Sequence, residues 1–209
     1  TNGKRNNKGV AFYGQATYSV TPKSDITIGS RYDVEKREFT QNTASEKNGV
    51  LTQLTSDSTF NKTFNAFTPK IILSYKINNQ TLLYASYTKG FRIGGFNVNN
   101  IADRTYNPEK SDNYEIGTKN SLLNNKLKLN LTAFYFQQKD QQVTTSKNGI
   151  DYATLNVGDM NNFGLEAEVT ALPIKNVQIE WTASTSQSKY VRLNLYDNAT
   201  SAVKNYKRN

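Results

Sequence analysis

The stretch Tyr106–Gln141 reads YNPEKSDNYEIGTKNSLLNNKLKLNLTAFYFQQKDQ, and apolar and polar residues alternate through most of it. Alternation with a period of two is typical of strands that have one apolar face. Asn124 and Asn125 interrupt it, and because asparagine tolerates a positive φ they suit a two-residue hairpin turn. Such a turn places the apolar residues of both strands on one side. It predicts four cross-strand pairs: Leu122 with Leu127, Thr118 with Leu131, Ile116 with Ala133, and Tyr114 with Tyr135.

A second hairpin is predicted at the start of the chain. The segments on either side of residues 21–25 alternate in the same way, and TPKSD at 21–25 is a cluster of turn residues. A five-residue loop is expected to pair Val20 with Ile26 and, next along the strands, Tyr18 with Ile28. The apolar faces of the two strands agree in this register.

Two more hairpins are predicted with turns near residues 78–80 and 172–176. At the first of these turns a two-residue and a three-residue loop both fit the chain. We favour the three-residue loop because it leaves serine and threonine on the wet side of the returning strand. It puts Leu83, Ala85 and Tyr87 on the apolar side.

The chain is therefore predicted to hold eight strands of about 10 residues, the length at which a tilted strand crosses a bilayer. Tight turns join them at one end and long polar stretches at the other, an asymmetry typical of outer-membrane β-barrels. We expect an all-β, antiparallel, up-and-down, multi-pass sheet in the outer membrane of a Gram-negative bacterium. The stretches predicted as loops are residues 1–9, 40–63, 92–111, 144–161 and 193–209.

The apolar side of this sheet is expected to face lipid and the polar side to face the barrel lumen. Aromatic residues suited to the membrane interfaces are Tyr18, Tyr32, Tyr75, Tyr114, Tyr135 and Trp181. The residues predicted to face lipid are Ile116, Leu129, Leu131, Ala133, Leu165, Ala167, Val169, Ile179 and Trp181. The residues predicted to face the lumen are Glu115, Lys119, Lys128, Glu166, Glu168 and Glu180.

The composition narrows the function classes. Hydrophobic residues make up 36% of the 209 residues, too few for a large dry core, while 11% aromatic residues argue against disorder. Histidine and cysteine are absent, which excludes Ser-His-Asp triads, histidine-ligated metals and disulfides. The net charge of +9 is scattered among asparagines, and we expect neither a nucleic-acid partner nor a cofactor.

Two local patterns invite other interpretations. Glu166 and Glu168 lie two apart on one strand face, about 6–7 Å by strand rise, a separation that suits an inverting glycosidase. Carboxylates lining a barrel wall explain them better, and no enzyme activity is expected. The segment Gly90–Asn97 is rich in glycine, but its spacing is not that of a phosphate loop and no helix follows it. Its glycines are expected to let the chain leave the barrel rim.

Two other architectures remain open at this point. A complete eight-strand outer-membrane barrel with a structural or adhesive role has the same number of strands. A soluble β-rich carbohydrate-binding module also has alternating strands. The wet second face of every strand and the lengthening of the loops at one end only argue against the soluble module.

Four segments resemble the C-terminal barrel of TonB-dependent outer-membrane receptors. With the strands between them they cover nearly the whole chain in the family's order, which makes the series more specific than any single segment. The segments are Phe12–Asp33 (FYGQATYSVTPKSDITIGSRYD), Leu83–Asn97 (LYASYTKGFRIGGFN), Tyr106–Lys119 (YNPEKSDNYEIGTK) and Asn156–Val169 (NVGDMNNFGLEAEV).

The resemblance implies a receptor that imports a scarce nutrient, foremost a ferric siderophore, through a barrel of about 22 strands. It also implies a plug domain, TonB, and outer-membrane lipid and lipopolysaccharide as partners. Residues 1–209 show no plug, so we expect part of such a barrel: an open, curved sheet without a ladder between residues 10–20 and 177–190. The possible ligand or rim contacts are Phe91, Arg92, Phe96 and Asn97.

Overall fold

A computed structural model describes residues 2–42, 44–47, 50–53, 55–98, 104–146, 152–197 and 202–206 of the chain. All regular structure in these ranges is β-strand, and they contain no helix able to cross a membrane. The strands are β1 (Asn2–Thr21), β2 (Ser24–Asn42), β3 (Ala44–Lys47), β4 (Val50–Gln53), β5 (Ser58–Lys76), β6 (Thr81–Arg92), β7 (Gly95–Phe96), β8 (Thr105–Tyr106), β9 (Glu109–Leu122), β10 (Leu127–Ser146), β11 (Tyr152–Ala171), β12 (Ile179–Asp197) and β13 (Ala202–Tyr206).

The main sheet is open and follows the chain. Within the described ranges it has nine strands in the order β1-β2-β5-β6-β9-β10-β11-β12-β13, with every neighbouring pair antiparallel. The small hairpins β3–β4 and β7–β8 are inserted into two of the connections. In this part of the chain no ladder joins residues 10–20 to 177–190. The predicted open, up-and-down sheet is confirmed.

The central hairpin forms in the predicted register. All four predicted pairs between β9 and β10 are present, from Leu122 with Leu127 to Tyr114 with Tyr135. Asn124 and Asn125 have positive φ values of 54° and 65°, and Leu123 joins them at 52°. Asparagine adopts a left-handed backbone at lower cost than most residues, and it occupies two of the three left-handed positions of this turn.

The other predicted registers have mixed outcomes. The three-residue loop at 78–80 is confirmed, since Leu83, Ala85 and Tyr87 lie opposite Tyr75, Leu73 and Ile71. The five-residue loop at 21–25 is wrong. The turn consists of residues 22–23 alone, with a bulge between Ser19 and Thr21, so Tyr18 pairs with Ile26. The shift is of two residues, and each side chain keeps its predicted face.

The strands are about twice as long as predicted. β1, β2, β5, β10, β11 and β12 have 19 or 20 residues each, and they run through most of the stretches predicted to be loops. Twenty residues span about 66 Å, far more than a bilayer. Beyond the part predicted to cross a membrane both faces carry polar residues, so the alternation stops although the backbone pairing continues. Of those predicted loops, residues 55–57, 93–94, 97–98, 104 and 107–108 lie between strands, and residues 1, 43, 48–49, 54, 99–103, 147–151, 198–201 and 207–209 lie outside the described residues.

The registers assemble two kinds of row across the sheet, because residues directly opposite each other share a face. One row is apolar in seven of eight strands: Tyr18, Ile26, Leu73, Ala85, Ile116, Ala133, Leu165 and Thr185. The row beside it points to the opposite side and is mostly polar: Ser19, Asp25, Ser74, Tyr84, Gly117, Thr132, Glu166 and Ser184. We call these sides the apolar face and the polar face.

The apolar face is unlike the surface of a water-soluble domain. Large side chains such as Phe12, Leu131, Leu165 and Trp181 are exposed along its length. An uninterrupted apolar face of this size calls for lipid or protein over it. The buried hydrophobic residues of the described chain lie instead beyond this band, at the end with the long connections: Phe39, Phe64, Phe96, Ala153 and Val157.

Candidate functional site

An aromatic cluster lies on the polar face at the long-connection end. Phe39 on β2 is 1% exposed and stacks on Phe96 of β7, with ring centroids 6.2 Å apart. Phe60 lies directly opposite Phe39 on β5, and Phe64 follows four residues later on the same side. Phe67, an odd-numbered residue of β5, lies on the apolar face, so the even-numbered Phe60 and Phe64 point to the polar face.

Cations lie over these rings. The Arg104 guanidinium carbon is 4.4 Å from the centroid of Phe60, and the Lys62 ammonium is 5.2 Å from that of Phe64. Arg5, opposite Phe39 on β1, lies 6.0 Å from the Phe39 centroid. Such contacts contribute about 0.5–1 kcal/mol each at exposed sites. They hold positive charge above an apolar floor, which suits an anionic ligand with aromatic groups.

Residues 93–98 and 104–108, between β6 and β9, fold over the polar face and are held there by amide side chains. Asn97 is 6% exposed; its Nδ2 donates to the carbonyl of Thr154 at 2.9 Å, and its Oδ1 accepts from the Thr154 amide at 2.8 Å. Asn107 and Asn156 form a second such exchange, at 2.7 and 3.0 Å. Gln142 on β10 donates to the carbonyls of residues 92, 93 and 107. These residues therefore form a roof over part of the face.

Arg92 and Glu109 close the base of this roof. Arg92 Nη2 donates to Glu109 Oε2 at 2.7 Å and to the carbonyl of Gln142 at 2.8 Å. The same Glu109 oxygen accepts from the Gln142 amide at 2.6 Å, and the other accepts from Gln138 Nε2 at 2.5 Å. Glu109 is buried, and these donors replace the water that it has lost.

Arg192 ties three strands together where their ladders are irregular. Asp140 has a positive φ of 55°, within the bulge of β10 against β11, and its amide donates to Asp159 Oδ1 at 3.0 Å. Arg192 on β12 donates to both oxygens of Asp159, at 2.9 and 3.1 Å, and to Asp140 at 3.3 Å. The hydrogen bond from Arg192 lowers the pKa of Asp159 below its ordinary value. Asp159 is twelve residues from Ala171 at the tight turn, about 40 Å along β11, and at a tilt of about 45° this is a rise of about 28 Å, beyond an apolar band of about 25 Å.

Three of the four predicted ligand or rim contacts belong to this roof or its base, and the fourth, Phe91, has the phase of the apolar face on the other side of the sheet. Arg92 is bound to Glu109, while Phe96, at 8% exposure, and Asn97 are packed into the roof itself. Phe91 lies opposite Lys110 and is half-buried. Ligand contact by these four stays a prediction; the contacts present in the structure are with the chain's own residues.

The six residues predicted to line a lumen share the polar face, opposite the nine predicted to meet lipid. Several have polar partners there: Asn130 donates to Glu168 at 3.1 Å, Asn113 to Glu115 at 2.6 Å and Gln178 to Glu180 at 2.5 Å. The Lys119 ammonium lies 5.7 Å from the ring centroid of Tyr84. That this face borders a lumen stays a prediction. The described residues include no group of acidic side chains that could hold a metal ion.

Sequence reasoning missed the aromatic cluster and its cations. Phe60 and Lys62 lie within residues 40–63, which were predicted to be a long polar loop, and Phe64 follows directly after it. These three residues are spaced by two, as residues on one face of a strand are, and this spacing was a usable signal. The same strand continues to Phe67, which falls on its other face. Arg104 carried no local signal, since its place over Phe60 depends on the folding of the whole β6–β9 connection.

Comparison with known proteins decides the family. The family model described as TonB dependent receptor-like, beta-barrel matches residues 1–208. The chain belongs to the TonB-dependent receptor family. Among curated relatives, the metal-pseudopaline receptor CntO of Pseudomonas aeruginosa is 28% identical over 113 residues, which are 54% of this chain and 15% of CntO. The probable TonB-dependent siderophore receptor PiuA of Acinetobacter baumannii is 27% identical over 161 residues, 72% of this chain and 20% of PiuA.

Solved structures of the family share the fold. The ferric yersiniabactin uptake receptor FyuA of Yersinia pestis superposes with a TM-score of 0.73 at 19% identity, over 90% of this chain and 28% of FyuA. The chain thus spans about a seventh to a third of the TonB-dependent receptors that it matches. The family consists of outer-membrane receptors of Gram-negative bacteria and not of enzymes, as predicted. The soluble carbohydrate-binding module is thereby overturned.

Proposed function

We propose that this chain is part of the barrel wall of an active importer and that the cargo is an anionic ferric siderophore. The observation that carries the proposal is the aromatic cluster with Arg5, Lys62 and Arg104 over its rings. Ferric chelates of catecholate or carboxylate type are bulky, often aromatic and anionic. Rings and fixed cations side by side are suited to them.

The relatives support the same cargo class. Pseudopaline, pyoverdine and yersiniabactin are named as the chelators bound by relatives of this chain. One structural neighbour is a copper transporter instead. In this chain the basic cluster favours an anionic chelate over a bare cation.

The import cycle belongs to the proposal too. In it, a plug domain fills the lumen and TonB supplies energy from the inner membrane. The polar face would then border the plug, with Glu115, Lys119, Lys128, Glu166, Glu168 and Glu180 as its contacts. A complete eight-strand barrel would have an interior filled by side chains and no room for cargo. The open edges of β1 and β13 in the described chain support the wider barrel.

Uptake of radioactive iron by cells that express the receptor tests the proposal. We compare a panel of iron-loaded siderophores with and without a protonophore, which abolishes TonB-driven import. The double variant Arg5→Gln with Lys62→Gln removes two cations from the cluster. Its matched control, Lys8→Gln with Lys36→Gln, removes two cations from the opposite face of the same end of the sheet.

The cluster variant is expected to bind its siderophore about tenfold more weakly, since each exposed charge contributes about 0.7 kcal/mol. The control is expected to bind like the wild type. If no iron chelate in the panel enters the cell in an energy-dependent way, the importer hypothesis fails. If uptake occurs and both variants are unaffected, the receptor transports iron but the cluster is not its binding site.

A further inference from the structure

The sheet is split between β5 and β6 at the end with the long connections. The part of β5 that pairs with β6 is Lys70–Lys76, and its last pair joins Lys70 to Thr88. Beyond this pair β5 continues along β2 as Ser58–Pro69, while β6 continues along β9 to Arg92. Within the described residues no ladder joins these two extensions. We call the gap between them the seam.

Pro69 explains where the seam begins. The Ile77 amide donates to the carbonyl of Thr81, so the odd-numbered residues of β5 direct their amides toward β6. If the same register continued, the residue at position 69 would donate to Lys89. Proline has no N–H and cannot form this bond, so the ladder stops one pair earlier.

The two extensions overlap at the seam and do not lie edge to edge. A cavity of about 320 Å³ there is lined by Asp33 and Glu35 of β2, by Phe64 of β5 and, from the other side, by Phe91 and Ile93. Phe64 points to the polar side of its strand, whereas Phe91 has the phase of the apolar side of β6. This arrangement places the end of β6 inside the end of β5.

The roof is bound to β2 and β5 on one side of the seam. Arg37 on β2 donates to the carbonyl of Gly94 at 2.8 Å, and the Arg104 guanidinium donates to Gln41 Oε1 at 2.8 Å. An added Cβ at Gly94 would lie 2.6 Å from Phe64 Cε1. The close approach of the roof to β5 therefore requires glycine at this position.

On the other side of the seam the roof is bound to β10 and β11. Asn97 exchanges two hydrogen bonds with Thr154, and Asn107 exchanges two with Asn156. Gln142 adds its bonds to the carbonyls of residues 92, 93 and 107. Four strands separate β2 from β11 in the sheet, so the roof bridges five strand spacings, about 24 Å.

We propose that the roof is a clasp that holds two halves of the wall together across the seam that begins at Pro69. The first half consists of the far ends of β1, β2 and β5, and the second of the far ends of β6 and β9–β12. The aromatic cluster needs both halves, since Phe39 and Phe60 lie on the first half while Phe96 and Arg104 lie on the roof. Opening the clasp therefore takes the cluster apart. Nearer the tight turns the ladder between β5 and β6 is intact, and the sheet stays closed.

Distance measurements by electron paramagnetic resonance on the intact receptor in lipid vesicles test the proposal. Spin labels are attached at Thr63→Cys on β5 and Lys110→Cys on β9, two exposed positions on opposite sides of the seam; residues 1–209 contain no native cysteine. Gly94→Ala pushes the roof away from Phe64 without removing a ring, a cation or a hydrogen-bonding side chain. Its matched control is Gly14→Ala, where nothing lies within 4 Å of the added Cβ.

A second clasp variant acts at the other end of the roof. Asn97→Ala with Asn156→Ala releases the roof from the second half. Its matched control is Asn120→Ala with Asn130→Ala, which also removes two amide side chains, but ones that bond within β9–β11 near the tight turns. Because the two clasp variants act at different ends, either of them tests the proposal if the other does not fold. Heat-modifiable electrophoretic mobility reports folding of each variant.

The wild type and both controls are expected to give one narrow distance distribution. Each clasp variant is expected to add a population shifted by about 5–10 Å, between one strand spacing and the spacing of two stacked layers. Pro69→Thr restores the missing amide and is expected to extend the ladder toward Lys89, so that Gly94→Ala no longer shifts the distance in that background.

Three outcomes overturn the proposal. They are an unchanged distance in a folded clasp variant, an equal shift in its control, and a shift from Gly94→Ala that Pro69→Thr does not reduce. Because the measurement contains no siderophore and concerns the wall alone, a failure of the proposed import leaves its result unchanged.

Discussion

Gly117 offers a sharp test of how the polar face is packed. It lies on β9 between Tyr84 on β6 and Thr132 on β10, and the Tyr84 ring crosses it so that the two hydroxyls meet at 2.9 Å. A Cβ at Gly117 would come within 2.7 Å of Tyr84 Cε1 and 2.6 Å of the Leu131 carbonyl oxygen. Real Cβ atoms do not approach so closely, so Gly117→Ala must displace both the Tyr84 ring and the neighbouring backbone at Leu131.

The cost of this substitution follows from three terms. Overpacking of this kind costs about 1–3 kcal/mol. Loss of the hydrogen bond between Tyr84 and Thr132 costs about 1 kcal/mol more. Removing a glycine from a strand returns about 0.5–1 kcal/mol of backbone entropy. We therefore expect Gly117→Ala to destabilise the folded barrel by about 2 kcal/mol, and Tyr84→Phe by about 1 kcal/mol.

Gly29 provides the matched control, because it lies on the same face of β2 and its added Cβ would meet only ordinary contacts at 3.4–3.5 Å. Gly29→Ala is expected to be neutral or to stabilise by about 0.5 kcal/mol. Urea unfolding of the receptor in lipid vesicles, followed by circular dichroism, measures all three. In a Tyr84→Ala background the cost of Gly117→Ala should fall by about half. Equal effects of the two glycine substitutions would refute this account.

Three further outcomes are expected. Leu131→Arg should destabilise the barrel in vesicles by about 2–4 kcal/mol, whereas Asn130→Arg on the polar face should cost less than about 1 kcal/mol; equal costs would contradict the assignment of faces. Phe39→Ala should cost about 3–5 kcal/mol and raise hydrogen exchange at the amides of β7, because it empties the floor of the aromatic cluster. The Asp159 carboxyl has a lowered pKa when folded, so its stabilisation is complete above its unfolded pKa of about 3.9 and is lost as the pH falls through the lower folded value. Relative to the intrinsic exchange rate at each pH, the protection of amides at the far ends of β10–β12 should therefore fall below about pH 4 in the wild type, and Asp159→Asn should abolish that fall.

The half of the sheet nearer the tight turns could be predicted from the sequence because one face meets lipid and the other meets water. Because of that contrast, only registers that keep the apolar residues on one face were acceptable. The turn residues Asn124 and Asn125 then selected the register that pairs Leu122 with Leu127. The first hairpin shows the limit of parity. A loop of five residues and a two-residue turn with a bulge between Ser19 and Thr21 leave every side chain on the same face, so alternation cannot distinguish them.

The half of the sheet nearer the long connections, and the candidate site within it, could not be predicted in this way. Beyond the membrane no face is obliged to be apolar, so strands such as Ser58–Lys76 looked like loops over their first residues. The roof over the aromatic cluster depends on contacts such as Asn97 with Thr154, which are 57 residues apart in the chain. No local pattern encodes a contact of that kind. The basic residues were visible in the sequence, but their gathering around Phe39, Phe60 and Phe64 was not.

The bulges at Gln138–Gln141 and at Asp159–Met160 have an evolutionary consequence. Below them, inserting one residue would exchange the lipid and water faces of an entire strand. Above them, the same insertion exchanges two wet faces and can be absorbed by one more bulge. The strands can therefore gain or lose residues at the end with the long connections, while the part within the membrane keeps its length. Related receptors can therefore differ by insertions and deletions at the end with the long connections, while the membrane-spanning part of the sheet stays the same.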